Sequence, residues 1–244
     1  MADKRELRVQ KRPEFVRFLD AISKINEAAI VNVQAEPGQL SCLVSSIDNT
    51  LILSAELNHV DVNFSGTNNI PDIKKLVRAI DSISTKDISL IVNSNNYEYK
   101  GDKVKFKYHL YEDGLIVKPS INIEKVKSFK FDISFQITKD ILQAIIKGST
   151  FATETNKVYL FTEDGSLKAE LTDRARHNTD AFCLDLGEVD FELKPLPLNL
   201  DNLKLLSTID RVINVGVNTD YGVCVFDIEA TDIKLKYIIT SLTQ

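Results

Sequence analysis

Several kinds of segment are missing from this sequence of 244 residues. No apolar run approaches the ~18–20 residues that a helix needs to span a bilayer, so we expect no membrane segment. Residues 1–6 are charged and lack the apolar core of a secretory signal, which favours a cytoplasmic location. The three cysteines show no Cys-x-x-Cys spacing, and each lies alone in an apolar strand pattern. We therefore expect Cys42, Cys183 and Cys224 to be small core residues in a reducing compartment.

Motifs for enzyme chemistry are also missing. The sequence contains no Gly-rich phosphate loop, no metal-ligand cluster and no nucleophile motif, and its three histidines are far apart. Residues 173–178 place a carboxylate, two guanidinium groups and an imidazole close together, but no second cluster accompanies them. We therefore predict a protein that is not an enzyme and needs no cofactor or metal. We interpret this stretch as a polar loop at a DNA or subunit boundary.

A repeated pattern organises what is present. Residues 69–111 predict a helix with an apolar stripe at i, i+3 and i+4 spacing, followed by three antiparallel strands. The same order returns in residues 203–242, and each half opens with a strand, a helix and further strands. The sequence thus predicts an α+β fold class, with two similar domains of antiparallel sheet that carry two helices each.

The domain limits follow from a loosening of this pattern. Residues 112–120 combine a turn, a short apolar segment and a proline, which is typical of an extended connector. We place the N-terminal domain at residues 1–112, the interdomain connector at 113–127 and the C-terminal domain at 128–244. Three local expectations complete the description. They are a connection at 66–69, a helix at 139 to about 151 and a short strand at 191–193.

The outward faces of the predicted helices carry basic residues, although the net charge of the chain is −5. At 100° per residue, the positions opposite the apolar stripes include Arg17 and Lys24, Lys75 and Arg78, Lys147, and Lys204 with Arg211 just beyond. A charge opposite a core stripe usually marks only a solvated face. Four helices that share the feature favour a surface that attracts a polyanion. Bases spaced as point charges predict phosphate contacts without sequence preference and with steep salt dependence.

Short motifs give this organisation a family resemblance. The strand Leu235-Lys236-Tyr237-Ile238-Ile239 is similar to the Leu-Lys-Tyr ending of the proliferating cell nuclear antigen type of DNA sliding clamp, a polymerase processivity factor. Residues 46–53 resemble that family's segment after the first hairpin, and residues 114–120 lie where its interdomain connector belongs. The element order resembles the family along the whole chain, and the preferred subgroup is a clamp like those of T-even phages.

The resemblance implies a DNA clamp fold that closes into a head-to-tail homotrimer around duplex DNA. Pairing of edge strands between subunits would remove exposed templates for aggregation. The implied partners are duplex DNA, a DNA polymerase, a clamp loader and other copies of the chain, in the host cytoplasm if a phage encodes it. The implied DNA contacts are Arg17, Lys24, Lys75, Arg78, Lys147, Lys204 and Arg211, with Lys11, Arg12 and Lys74 as second choices.

The same resemblance implies a pocket between the two halves, beneath the connector, that takes apolar or aromatic anchors of polymerase and loader tails. The matching positions are Ile47, Ile52, Leu115, Val117, Ile238 and Thr240. Alternating apolar residues in strands are normally core, and only the exposed connector argues otherwise. The alternative to a clamp is a β-rich structural or scaffold protein, such as a virion or assembly component, whose basic helix faces are merely solvated.

Overall fold

The computed structural model describes residues 4–119, 130–207 and 211–242. The chain forms two compact units. The first comprises Met1–Lys127 with Glu229–Lys236, and the second comprises Ser128–Ile228 with Tyr237–Gln244. Antiparallel strands dominate both, with two helices in each among the described residues. This architecture confirms the predicted α+β class.

The first unit contains two sheets and two helices. In chain order it runs β1 (Glu6–Val9), α1 (Arg12–Ser23), β2 (Ala29–Gln34), β3 (Gln39–Ser45), β4 (Leu51–Leu57), β5 (Val60–Val62), β6 (Gly66–Ile70), α2 (Ile73–Asp81), β7 (Ile88–Val92), β8 (Asn96–Lys100) and β9 (Lys105–His109). One sheet has the order β5-β1-β7-β8-β9, and the other contains β4-β3-β2-β6. Helix α1 packs against α2 and against β4.

The second unit repeats the combination of sheets and helices. In chain order it runs β10 (Ile133–Ile137), α3 (Lys139–Gly148), β11 (Lys157–Glu163), β12 (Ser166–Leu171), β13 (Phe182–Glu188), β14 (Leu196–Asn199), α4 (Leu200–Leu206), β15 (Ile213–Asn218), β16 (Val223–Glu229) and β17 (Ile233–Thr240), whose first residues belong to the first unit. One sheet has the order β13-β12-β11-β14, and β10-β15-β16-β17 are hydrogen-bonded neighbours. Helix α3 packs against α4, β12 and β13.

Three local expectations are wrong. Residues 66–69 belong to strand β6, in which Asn69 lies opposite Ile30 of β2. Helix α3 ends at Gly148, because the hydroxyl groups of Ser149 and Thr150 donate to the carbonyl oxygens of Ile146 (2.6 Å) and Lys147 (2.7 Å).

The third wrong expectation concerns residues 191–193, which do not form a strand. The strand that pairs with β11 is β14, which begins after Pro195 and places Pro197 opposite Tyr159. Leu193 instead exchanges bonds with Thr162: its amide donates to the threonine Oγ1 at 2.8 Å, and its carbonyl accepts from the threonine amide at 2.9 Å. A proline cannot donate to a ladder, which hid this strand from the sequence pattern.

The cysteines divide into two classes. Cys42 and Cys224 are buried, and burial raises the pKa of each thiol to about 12. Cys183 is exposed, which corrects the expectation that all three are core residues. It lies on β13, the outermost strand of its sheet, where alternation turns its side chain to the outer face. No helix among the described residues is long and apolar enough to cross a membrane.

Candidate nucleic-acid interface

Of the two helices in the first unit, α2 exposes the basic side chains that are least neutralised by described carboxylates. Asp72 caps its start by accepting from the Lys75 amide at 2.8 Å, and the helix buries an apolar stripe that includes Leu76. The opposite face exposes Lys74, Lys75 and Arg78. Within the described part of the chain, none of these three side chains forms an ion pair. Their charge is therefore fully available to an anion in solution.

Helix α1 carries its bases differently. It buries Phe15, Phe18, Leu19 and Ile22, which leaves Arg17 and Lys24 exposed. Arg17 pairs with Glu14 at 2.8 Å, and Lys24 pairs with Asp20 at 3.1 Å, each one turn away. Neighbouring carboxylates on the same helix thus partly neutralise both bases. The predicted contacts of α1 offer less net positive charge than those of α2.

Lys11 and Arg12, the second choices, are engaged in holding the first unit together. The Arg12 side chain is only 20% exposed. Its Nε donates to the carbonyl of Thr85 at 2.9 Å and its Nη1 to that of Ile80 at 3.3 Å, at the end of α2. Lys11 donates to Asp232 at 2.5 Å. Arg12 therefore satisfies carbonyl groups of the protein itself and is mostly covered, whereas Lys11 is 62% exposed with its charge engaged by Asp232.

In the second unit, α3 and α4 expose fewer bases. Thr138 caps α3 by accepting from the Ile141 amide at 3.3 Å. Lys147 is exposed on this helix and forms no ion pair with a described residue. On α4, Lys204 pairs with Asp201 at 2.8 Å, and Arg211 is exposed beyond the helix. The seven first-choice DNA contacts are thus all exposed, but the predicted role of each stays a prediction.

The polar stretch at residues 173–178 is engaged in local contacts. Asp173 accepts a hydrogen bond from the Ala175 amide at 3.2 Å and forms ion pairs with Lys157 and Arg176. These contacts lower the pKa of the Asp173 carboxyl, and the hydrogen bond from the Ala175 amide has the largest effect. Arg174 binds Glu170 at 2.7 Å and stacks its guanidinium over aromatic rings of β11. In the described residues no group of histidine, cysteine or acidic side chains could hold a metal.

A groove in the first unit lies beneath the connector. Its volume is ≈ 600 Å³, and residues 116–119 form one wall against β2, β3 and β6. Asn69 of β6 holds the start of the connector, because its side chain donates to Asp113 at 2.8 Å and to the Tyr111 carbonyl at 3.3 Å. Half-buried Ile30 and Leu43 line the floor. An extended segment with apolar anchors fits this chemistry.

The predicted partner contacts divide by exposure. Ile47, Leu115 and Val117 are 98%, 63% and 92% exposed, and Val117 also lines the groove. Ile52 and Ile238 are 7% and 2% exposed, so they are unavailable to a partner in this conformation. Thr240 is half-buried in the second unit.

Ile30 and Leu43 line the groove but were not among the partner contacts predicted from the sequence. Their signal is the short apolar runs at residues 29–31 and 42–44, which put an apolar residue on both faces of a strand.

No protein-family model matches this sequence, and no curated protein matches it either. Solved structures do match. The A. fulgidus PCNA that is bound to the C-terminal region of FEN-1 superposes with a TM-score of 0.77 at 15% identity, over 98% of this chain and 99% of that chain. The Helicobacter pylori β clamp in complex with 3,4-difluorobenzamide gives 0.77 at 13% identity, over 100% of this chain and 68% of that chain.

The proliferating cellular nuclear antigen of Entamoeba histolytica gives 0.75 at 10% identity, over 98% of this chain and 99% of that chain. This chain therefore matches nearly the whole length of the two PCNA chains and about two thirds of the bacterial β clamp. The resemblance is confirmed at the level of fold, and this chain has the DNA sliding clamp fold.

Proposed function

We propose that this protein is a DNA sliding clamp, a non-enzymatic factor that encircles duplex DNA without sequence preference and tethers a DNA polymerase. One observation carries the proposal beyond the fold. An acidic chain of net charge −5 places three basic residues, Lys74, Lys75 and Arg78, on the outward face of a single helix, and none of them forms an ion pair with a described residue. Such a local concentration of positive charge attracts a polyanion even though the chain as a whole is acidic.

These basic side chains suit sliding along DNA rather than recognition of a particular DNA sequence. Lysine and arginine side chains on an exposed helix face act as point charges for phosphates, and phosphate contacts carry no sequence information. A protein that surrounds DNA stays bound through topology and needs little affinity. We propose that Arg17, Lys24, Lys147, Lys204 and Arg211 join the α2 bases along the DNA path.

The ring consists of copies of this chain. We propose a head-to-tail homotrimer that a clamp loader opens and closes around DNA in the cytoplasm. Residues 113–127 would serve as the connector between the domains at 1–112 and 128–244. Strand pairing between copies would complete sheets whose edges are open in the single chain.

Partner proteins would bind in the groove beneath the connector. The A. fulgidus PCNA holds the C-terminal region of FEN-1, which shows that a chain of this fold takes a peptide from another protein. We propose that tails of the polymerase and the loader place apolar anchors against Ile30, Leu43 and Val117. Ile47 and Leu115 would extend this contact at the surface, and Ile52, Ile238 and Thr240 remain the further predicted positions.

Binding to short duplexes of unrelated sequence tests the DNA contact. Fluorescence anisotropy at low salt should show equal affinity for the sequences, and the affinity should fall steeply as salt rises. Replacement of Arg17, Lys75, Arg78 and Lys147 with alanine should weaken binding while circular dichroism shows an intact fold. If this variant binds DNA as the wild type does, the basic faces are merely solvated and the scaffold alternative gains.

A further inference from the structure

The two units share a hairpin whose positions can be matched one by one. In the first unit the β2–β3 ladder ends at the pair Gln34 and Gln39, and in the second unit the β11–β12 ladder ends at Glu163 and Ser166. Positions counted from these terminal pairs correspond between the units, because the register of a ladder fixes which side chains share a face.

A backbone hydrogen bond supports this match. The amide of Val60 donates to the carbonyl of Gly38, and the amide of Val189 donates to the carbonyl of Gly165, each at 2.9 Å. Each glycine is the residue just before the second member of its terminal pair. The same bond therefore recurs at the same place in both hairpins.

The match relates the groove floor of the first unit to a site in the second. Ile30 and Leu43 lie four positions from their terminal pair, and Tyr159 and Glu170 occupy the same positions on β11 and β12. Tyr159 and Glu170 lie opposite each other in the ladder. Because alternate residues of a strand share a face, Phe161 lies beside Tyr159 on that face.

Arg174 fills this site in the second unit. Its guanidinium carbon lies 4.8 Å from the ring centre of Tyr159 and 4.5 Å from that of Phe161. Its Nε donates to Oε2 of Glu170 at 2.8 Å, and its Nη2 lies 2.7 Å from the same oxygen. The two rings are only 6% and 8% exposed. The second unit thus covers with its own side chain the face that carries an open groove in the first unit.

The connection that carries Arg174 differs between the two units. Residues 172–181 join β12 to β13, whereas the matching connection of the first unit, residues 46–50, is half as long. The longer connection is also tied to the sheet, because Asp173 forms an ion pair with Lys157 of β11 at 3.4 Å. The extra length and this tie hold Arg174 over the two rings.

We propose that Arg174 closes the second unit's counterpart of the groove and thereby restricts the apolar anchors of partner proteins to the first unit. The inference rests on the proposed function of the groove, and it assigns a role to the polar stretch at residues 173–178. A guanidinium group that is stacked on two rings and bound to a carboxylate leaves no room for an apolar anchor. Ile30 and Leu43 are instead half-buried beside a cavity of ≈ 600 Å³.

Removal of the Arg174 side chain tests this closure in the full-length chain. 3,4-Difluorobenzamide is a suitable probe, because it is neutral and aromatic and forms a complex with the Helicobacter pylori β clamp. Fluorine NMR measures the fraction of the probe that is bound. In Arg174→Ala the probe ring can lie against Tyr159 and Phe161, and its amide can donate to Glu170. The bound fraction should rise roughly twofold over that of the wild type, because a second apolar site is added to the groove.

Cys183 reports where the additional probe binds. It is exposed and lies opposite Glu170, on the neighbouring strand β13. Cross-strand neighbours are close enough for a molecule bound at one to shield the other. A high concentration of the probe should therefore slow thiol labelling of Cys183 several-fold in Arg174→Ala and leave the wild-type rate unchanged. A merely loosened fold would not give this protection.

Arg176→Ala provides the matched control. Arg176 belongs to the same stretch, is exposed and pairs with Asp173 at 3.3 Å. This variant should bind the probe as the wild type does. Circular dichroism and the melting temperature verify that each variant is folded.

The outcomes separate the closure from the proposed groove. A folded Arg174→Ala chain that binds no more probe than the wild type, or whose extra binding leaves the labelling of Cys183 unchanged, would overturn the closure. The wild type should bind the probe in the groove of the first unit, and Leu43→Gln should remove that binding. If the wild type binds no probe while Arg174→Ala binds it and protects Cys183, the closure stands and the proposed partner groove fails.

Discussion

Lys11 and Asp232, which are 221 positions apart in the chain, form an ion pair at 2.5 Å within the first unit. The same carboxylate accepts from Nδ1 of His59 at 2.9 Å, and the Asp232 carbonyl accepts from the Asn58 amide at 2.8 Å. One nearly buried aspartate thus joins the residue before α1, the turn before β5 and the start of β17. These contacts join three segments of the first unit that are far apart in the sequence.

Substitution of Asp232 with asparagine should lower the stability of the fold and weaken its dependence on acid pH. The Lys11 bond and then the His59 bond lower the pKa of the Asp232 carboxyl. A depressed carboxyl pKa adds stability above the ordinary value near 3.9, and that stability is lost as the pH falls through the folded value. Because both partners are largely exposed, we expect a loss of about 1 kcal/mol at pH 7.

Urea denaturation at pH 7 and pH 3 measures both effects. The difference between wild type and Asp232→Asn should be present at pH 7 and shrink at pH 3. Asp220→Asn provides a matched control, since Asp220 is exposed. Equal denaturation midpoints for the two variants at pH 7 would contradict the role assigned to Asp232.

Loss of the α2 bases should impair DNA binding more than loss of an equal number of paired bases. Replacement of Lys74, Lys75 and Arg78 with alanine removes charges that form no ion pair with a carboxylate in the described part of the chain. Replacement of Arg17, Lys24 and Lys204 removes charges that already pair with Glu14, Asp20 and Asp201. All six side chains are exposed, so each triple variant should keep its stability to within about 0.5 kcal/mol per site.

The salt dependence of duplex binding distinguishes the two triple variants. Each phosphate contact contributes about −0.9 to the slope of log affinity against log salt. The α2 variant should therefore show a shallower slope than the variant in paired bases, along with weaker binding at low salt. Identical slopes would mean that the ion pairs open freely when DNA binds. That result would contradict the larger contribution to DNA binding assigned to the α2 residues.

Substitution of Gly148 with alanine should destabilise the second unit. A methyl group at this position, the last residue of α3, would overlap the ring of Phe182 on β13. Overpacking of this kind costs about 1–3 kcal/mol. Thermal or chemical denaturation should show this loss. Adding Phe182→Ala should recover part of it, because the smaller side chain leaves room for the methyl group. No recovery would mean that the loss arises elsewhere.

Thiol labelling should report whether β13 is covered. Of the three cysteines only Cys183 is exposed, and burial raises the pKa of Cys42 and Cys224 to about 12. The native chain should therefore react with one equivalent of a thiol reagent and the urea-unfolded chain with three. Strand pairing places cross-strand side chains ~5 Å apart, so labelling of Cys183 should slow as the protein concentration rises. A rate that does not depend on concentration would argue against coverage of this edge.

The sequence predicts the helices and their buried faces better than it predicts which of their charged side chains form ion pairs. The stripe of α2 is clear from spacing alone, and Ile73, Leu76 and Ile80 are buried as predicted. Periodicity assigns a side of the helix but no partner. Arg17, Lys24 and Lys204 each have a carboxylate three or four positions earlier, and only the structure shows that these pairs form.

Strands whose pairing depends on distant residues were harder to predict. Strand β6 reads Gly-Thr-Asn-Asn-Ile and has no alternating apolar pattern, and its pairing with β2 decides its conformation. The connector poses the same problem for the partner site. Its exposed Val117 was predicted, but the groove floor at Ile30 and Leu43 emerges only when β2 and β3 lie side by side.

Retention on capped DNA tests encirclement most directly, and it needs no loader. A duplex is attached to a surface by one end, incubated with concentrated protein so that rings thread over the free end, and then capped there with a bulky protein. After a wash in high salt, which removes contacts made only through charge, the account predicts that the protein stays on the DNA. A restriction cut near the cap should then release it at once. Loss during the wash, or retention that the cut does not change, would contradict the proposal that this chain encircles DNA.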